Sequence, residues 1–149
     1  MPATDRLRET FLPLMSQVTR QWRRALDDAL KPLGLTQATW LALLSISRAA
    51  APLRQKDLAA QLTLDNSSVV RLLDNLQLAG YIDRAGHADR RAKTIQLTAL
   101  GHEVVLQVEA VVQQARRQFL GPIPAAELAT AHSVLTRLSD ALAAARPAA

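Results

Sequence analysis

Ser67, Ser68, Arg71 and Asn75 are spaced so that an α-helix would carry all of them on one side. Between about Asn66 and Ala79, Val69, Leu72, Leu73 and Leu76 follow the i, i+3, i+4, i+7 pattern of a buried stripe. At about 100° per residue, the two serines, Arg71, Asp74 and Asn75 fall opposite that stripe. An arginine donates two parallel hydrogen bonds, an asparagine amide donates and accepts, and a serine hydroxyl allows close approach. This is the chemistry of recognising hydrogen-bonding edges and anions rather than of breaking bonds. A second cluster follows in residues 84–93, where Arg84, Arg90, Arg91 and Lys93 stand against the single acid Asp89. That stretch carries three of the five net positive charges of the chain, and Asp89 is placed to orient an arginine through a charge-assisted hydrogen bond.

Other chemistries find no support. The chain contains no cysteine, which excludes disulfides, cysteine-ligated zinc and thiol redox sensing. His87, His102 and His132 are far apart, and none has the i, i+4 partner that would put two metal ligands on one helical face, so no metal site and no cofactor are expected. There is no nucleophile with a plausible histidine and acid, and no glycine-rich phosphate loop. The sequence does not read as that of an enzyme.

The elements that must position these side chains are mostly helical. Aromatic residues make up 3% of the 149 residues and glycine is rare, while alanine and leucine abound. Residues 4–31 predict a helix, with Pro13 marking a kink or a fresh start, and Lys31-Pro32-Leu33-Gly34 ends it. Thr36 is a good N-cap for a buried helix carrying Trp40, Leu41, Leu43, Leu44 and Ile46. Beyond Ala51-Pro52, Gln55 to Leu62 forms a short helix, Thr63-Leu64-Asp65 a turn, and Asn66 to Ala79 the helix already described, which Gly80 stops. The period then changes to two. Thr94 to Thr98 alternates polar and apolar and pairs with Tyr81 to Arg84 across a loop containing Gly86, forming a hairpin. Thr98 caps a further helix with Leu100, Val104, Val105, Val108, Val111 and Val112 at helical spacing. Gly121-Pro122-Ile123-Pro124 ends that helix, and a last one carries Leu128, Ala131, Val134, Leu135, Leu138 and Leu142.

The expected fold is therefore mostly α with a small β-hairpin wing. Residues 1–149 form one domain, with a winged helix-turn-helix over residues 53–98 flanked by dimerisation helices at 4–33 and 99–146. Two short helices joined by a tight turn and followed by a basic hairpin place the second helix to enter a DNA major groove. Arg71 could then donate to a guanine edge, while a wing arginine would respond to the width of the minor groove. No stretch has the length and hydropathy of a membrane span, and no charged segment followed by an apolar run opens the chain, so a cytoplasmic location is expected. A helical protein-interaction adaptor with only nonspecific DNA binding is the competing expectation. It accounts for the apolar helices at both ends but not for the wing.

Leu58-Ala59, Val70 to Leu76, Gly80-Tyr81-Ile82 and above all Asp89 to Thr98 together resemble the MarR family of transcription regulators. The segment from Trp22 to Trp40, with Leu30 to Leu33 and Leu35-Thr36-Gln37, is similar in particular to the SlyA branch. The resemblance runs from about residue 16 to the last helix. It implies a homodimer whose end helices interlock and set two recognition helices on successive major grooves of a palindromic operator. Ser67, Ser68, Arg71, Asn75, Arg90, Arg91 and Lys93 would then contact DNA, with Asp89 orienting the wing. The resemblance further implies repression or activation at promoters, and release by a small aromatic carboxylate. The positions matching the effector pocket include Arg20 and Trp40, and Thr36 and Thr39 are neighbouring hydroxyls that could complete it. Trp40 also has the profile of a core residue and Arg20 that of a surface residue, and Ala38 replaces a hydroxyl-bearing residue of the related pocket.

Overall fold

A computed structural model describes residues 3–85 and 93–147. In chain order the elements are α1 (Ala3–Leu30), a 3-10 turn (Lys31–Leu33), α2 (Gln37–Arg48), β1 (Leu53–Arg54), α3 (Gln55–Leu62), α4 (Asn66–Leu78), β2 (Ile82–Ala85), β3 (Thr94–Leu97), α5 (Ala99–Leu120) and α6 (Ala125–Ala144). The architecture is mostly helical with a small antiparallel sheet, as the sequence patterns imply.

Two compact units divide the chain, Met1–Val112 and Gln113–Ala149, with α5 running from the first into the second. In the first unit the core is built from Leu26 and Leu30 of α1, Trp40, Leu43 and Leu44 of α2, Leu58 of α3, and Val69, Leu72, Leu73 and Leu76 of α4. Ile82, Ile95, Val105 and Val108 join it, and among the described residues no polar or charged side chain is buried. In the second unit α6 buries none of its described residues, and Leu135 and Leu142 are exposed.

α1 continues through Pro13 without interruption, so there is no fresh start at that point. A proline removes one backbone donor, and the turns on either side hold the helix across the gap. Its stop is the one expected: Gly34, at φ 70°, takes the left-handed conformation and donates to the Lys31 carbonyl at 2.9 Å. Thr36 then caps α2 and locks onto Thr39, whose Oγ1 accepts from the Thr36 N–H at 2.8 Å and donates to the Thr36 carbonyl at 2.8 Å. Leu41, expected in the core, is only half-buried.

The turn between α3 and α4 contains a residue that sequence chemistry does not favour there. Thr63 has φ 55°, a left-handed conformation rare for a β-branched side chain. It allows its own N–H to reach the Ala60 carbonyl and that of Leu64 to reach Ala59, which closes the end of α3. At the far end of α4 the same pattern uses Gly80 at φ 81°, with Gly80 donating to Gln77 and Tyr81 to Leu76, both at 3.0 Å.

The sheet order is β1-β3-β2, all antiparallel. Ile82 faces Leu97 and Arg84 faces Ile95, so the expected pairing of the hairpin strands holds. β1 is an addition: Leu53 pairs with Ile95 and Arg54 with Thr94. The wing is anchored to the start of α5 through Thr98, whose N–H donates to the Tyr81 carbonyl at 3.1 Å, while its hydroxyl donates to the Gly80 carbonyl and accepts from the Gly101 N–H at 3.0 Å.

Candidate nucleic-acid interface

α4 is amphipathic in the manner its sequence demands. Val69, Leu72, Leu73 and Leu76 are buried, and Ser67, Ser68, Arg71 and Asn75 are exposed on the opposite side. Asp65 caps the helix, accepting from the Ser68 N–H at 2.7 Å and from the Ser67 hydroxyl at 3.3 Å. Gln55, at the start of α3, donates to Asn66 at 3.1 Å and so fixes the first turns of the two helices to each other.

The hydrogen bonds from Ser68, together with the hydroxyl of Ser67, hold the Asp65 carboxyl below the ordinary carboxylate value of 3.8. At the start of α3, the Arg54 N–H and the Arg54 side chain, bonded at 3.0 and 3.4 Å, do the same for Asp57. A carboxyl whose folded value is lowered adds stability that is complete above its unfolded value and disappears as pH falls through the folded one. The urea midpoint of unfolding is therefore expected to fall as the solution is acidified below about pH 4, and to fall less in Asp65→Asn, which keeps the cap without a titrating group. An identical acid slope in the variant would remove Asp65 from this account.

Arg84, counted among the basic residues of the hairpin, is committed inside the protein. Its Nε donates to Gln77 at 2.7 Å and its Nη2 is ion-paired with Asp74, both on α4. Its side chain is 23% exposed against 57% for Asp74. The sequence contains the charges but not this pairing, because Arg84 and Asp74 are ten residues apart and meet only once β2 folds back on α4. Lys93 is exposed. Asp89, Arg90 and Arg91 lie outside the described residues, as does His87, while His102 and His132 are exposed on α5 and α6.

The positions expected to hold an effector are separated. Thr36 and Thr39 line a cavity of about 310 Å³ whose other wall is Ser67, Ser68, Arg71 and Asn75, so they share one space with the exposed polar face of α4. Trp40 is 2% exposed and donates from its indole N–H to Asp27 at 3.1 Å, which makes it a core residue with its polar edge satisfied. Arg20 is exposed on α1 and lines neither this cavity nor its neighbour. Arg23 of α1 lines a neighbouring space of about 200 Å³, beside Gln37, Ala38, Leu41, Leu62 and Leu64.

Two short helices, a tight turn and a three-stranded hairpin sheet, with a polar helix face turned outward, define a winged helix-turn-helix DNA-binding regulator. Residues 33–92 match the model of the MarR family. The structure is similar to that of the transcriptional regulator PA3341, with 37% identity over 89% of this chain and 97% of that one and a TM-score of 0.80. It is similar to the apo form of MarR from E. coli, at 27% identity, 85% and 94% coverage and a TM-score of 0.72. It is also similar to CouR from Rhodococcus jostii RHA1 bound to p-coumaroyl-CoA, at 29% identity, 91% and 92% coverage and a TM-score of 0.70. The chain belongs to the MarR family of transcription regulators. Among the described residues, no helix is long and apolar enough to cross a membrane.

Proposed function

We propose that this regulator is a cytoplasmic homodimeric repressor that reads a palindromic operator through α4 and the wing, and that a small aromatic carboxylate releases it. The exposed row Ser67, Ser68, Arg71 and Asn75, held rigid by the buried stripe behind it, carries this assignment. Arg71 and Asn75 present the donors suited to base edges, the serines sit where the first turn of α4 approaches phosphate, and Arg90, Arg91 and Lys93 serve the wing with Asp89 orienting them. Dimerisation is supported by exposed apolar residues on the end helices: Leu7, Phe11, Leu14 and Val18 at helical spacing on α1, and Leu135 and Leu142 on α6. Release by an aromatic effector is supported by the p-coumaroyl-CoA bound to CouR, and a carboxylate on that effector by Arg23 at a cavity between α1 and the reading lobe. Thr36 and Thr39 stand at the adjoining cavity, with Ala38 between the two.

The test is binding to the DNA upstream of the regulator's own coding sequence against an unrelated duplex of equal length, at several salt concentrations. Tight binding that survives excess competitor is expected. Arg71→Ala is expected to cost about 1–3 kcal/mol of operator binding and to relax the preference at one base pair. Equal, steeply salt-dependent binding to both duplexes would leave only nonspecific contact, as in the adaptor function, and unchanged operator affinity in Arg71→Ala would remove Arg71 from base reading.

A further inference from the structure

Arg84 and Asp74 form a pairing whose effect extends beyond the two residues. Asp74 lies three residues after Arg71 on α4, and residues at that spacing are neighbours on a helix surface, close enough for a carboxylate and a guanidinium to pair. Asp74 nevertheless bonds to Arg84 of β2, and no carboxylate among the described residues pairs with Arg71. The other acid near the reading face, Asp65, has its carboxylate turned onto Ser68 and Ser67 at the start of the helix. Arg84 is held at the pairing distance by a second partner, Gln77, one helical turn from Asp74, so the guanidinium spans two α4 side chains and cannot leave one without straining the other. Arg84 is also the less exposed member of the pair, which favours this partner over a freely moving side chain.

We infer that Arg84 is a positioning residue that occupies Asp74 and thereby keeps the Arg71 guanidinium free for DNA. This rests on α4 being the reading helix. Without Arg84, the Asp74 carboxylate has one cation within reach on its own helix, Arg71. Capturing it would place a neutral pair where the operator requires a donor and would leave a carboxylate near phosphates. Methionine at 84 preserves much of the stem that packs between β2 and α4 while deleting the charge.

The experiment compares wild type, Arg84→Met, Arg71→Met and the doubles Arg84→Met/Asp74→Asn and Arg84→Met/Arg71→Met. Each is tested for the ratio of operator to nonspecific affinity, with urea midpoints to verify folding. Arg84→Met is expected to lower that ratio by on the order of tenfold, within the range for a lost bidentate base contact. Adding Asp74→Asn is expected to restore most of it, because the competing carboxylate is gone. In the Arg71→Met background, Arg84→Met should add little. The Arg71 Nε–H resonance in the DNA-free protein should move on Arg84→Met and return in the double with Asp74→Asn, a signature that loosening of the wing alone would not produce. Failure of Asp74→Asn to rescue, or additive losses with Arg71→Met, overturns the inference and leaves Arg84 as a strut for the wing. A wild-type ratio in Arg71→Met would instead show that α4 does not read through Arg71, a failure of the functional assignment, and the resonance shift would still report the capture.

Discussion

Gly101→Ala is expected to destabilise the protein by on the order of 3 kcal/mol, although alanine is the better helix former. Gly101 sits in the first turn of α5, and a Cβ there would overlap the carbonyl oxygen and carbon of Tyr81 and stand 3.2 Å from Leu97 Cδ2. The obstacle is backbone, so it cannot rotate aside. The same contact region holds the Thr98 bonds to Gly80 and Tyr81. To make room, α5 and the base of the wing must separate, breaking those bonds, and the roughly 1 kcal/mol gained in helix propensity does not offset that loss. Urea unfolding should show a lower midpoint, and operator affinity should fall as the wing is displaced. An unchanged or raised midpoint would mean that the α5 start has room to move and that propensity governs the site.

Leu73→Ala is expected to cost about 3 kcal/mol, while Leu78→Ala on the same helix changes stability by no more than about 0.5 kcal/mol. Leu73 is fully buried at the centre of the α4 stripe, and Leu78 is 89% exposed at its end. Both substitutions remove the same atoms, so the difference isolates burial from propensity. Because Leu73 lies behind the row of Ser67, Arg71 and Asn75, its loss should also weaken operator binding at temperatures where the variant remains folded. Equal urea midpoints for the two variants would contradict the packing described for α4.

The order of elements, the α4 stripe and the two hairpin strands were legible because each is a periodic pattern long enough to register: four apolar positions over two turns in α4, and alternation from Thr94 to Thr98. The polar row on α4 followed from the stripe by elimination. β1 escaped because two residues, Leu53 and Arg54, are too few to show a period, and their partners lie about 40 positions away. Thr63 escaped for the opposite reason: local preference argues against its left-handed conformation, and the packing of α3 against α4 imposes it. The pairing of Arg84 with Asp74, the Asp27 partner of the Trp40 indole and the place of Arg23 at a cavity all depend on where elements meet. Composition supplied the residues for each of these, and only the folded chain supplies the partner.

In the homodimer proposed above, the apolar row Leu7, Phe11, Leu14 and Val18 along α1 would give the regulator a sensitivity to its own abundance. Two chains would have to meet before that surface left water, and dilution would then act on this protein as a mild denaturant does on others. Operator occupancy then climbs more steeply than in proportion to the number of chains synthesised, since copies made below the association threshold remain single. A promoter under such control is insulated from small bursts of synthesis and responds once enough subunits have accumulated to pair.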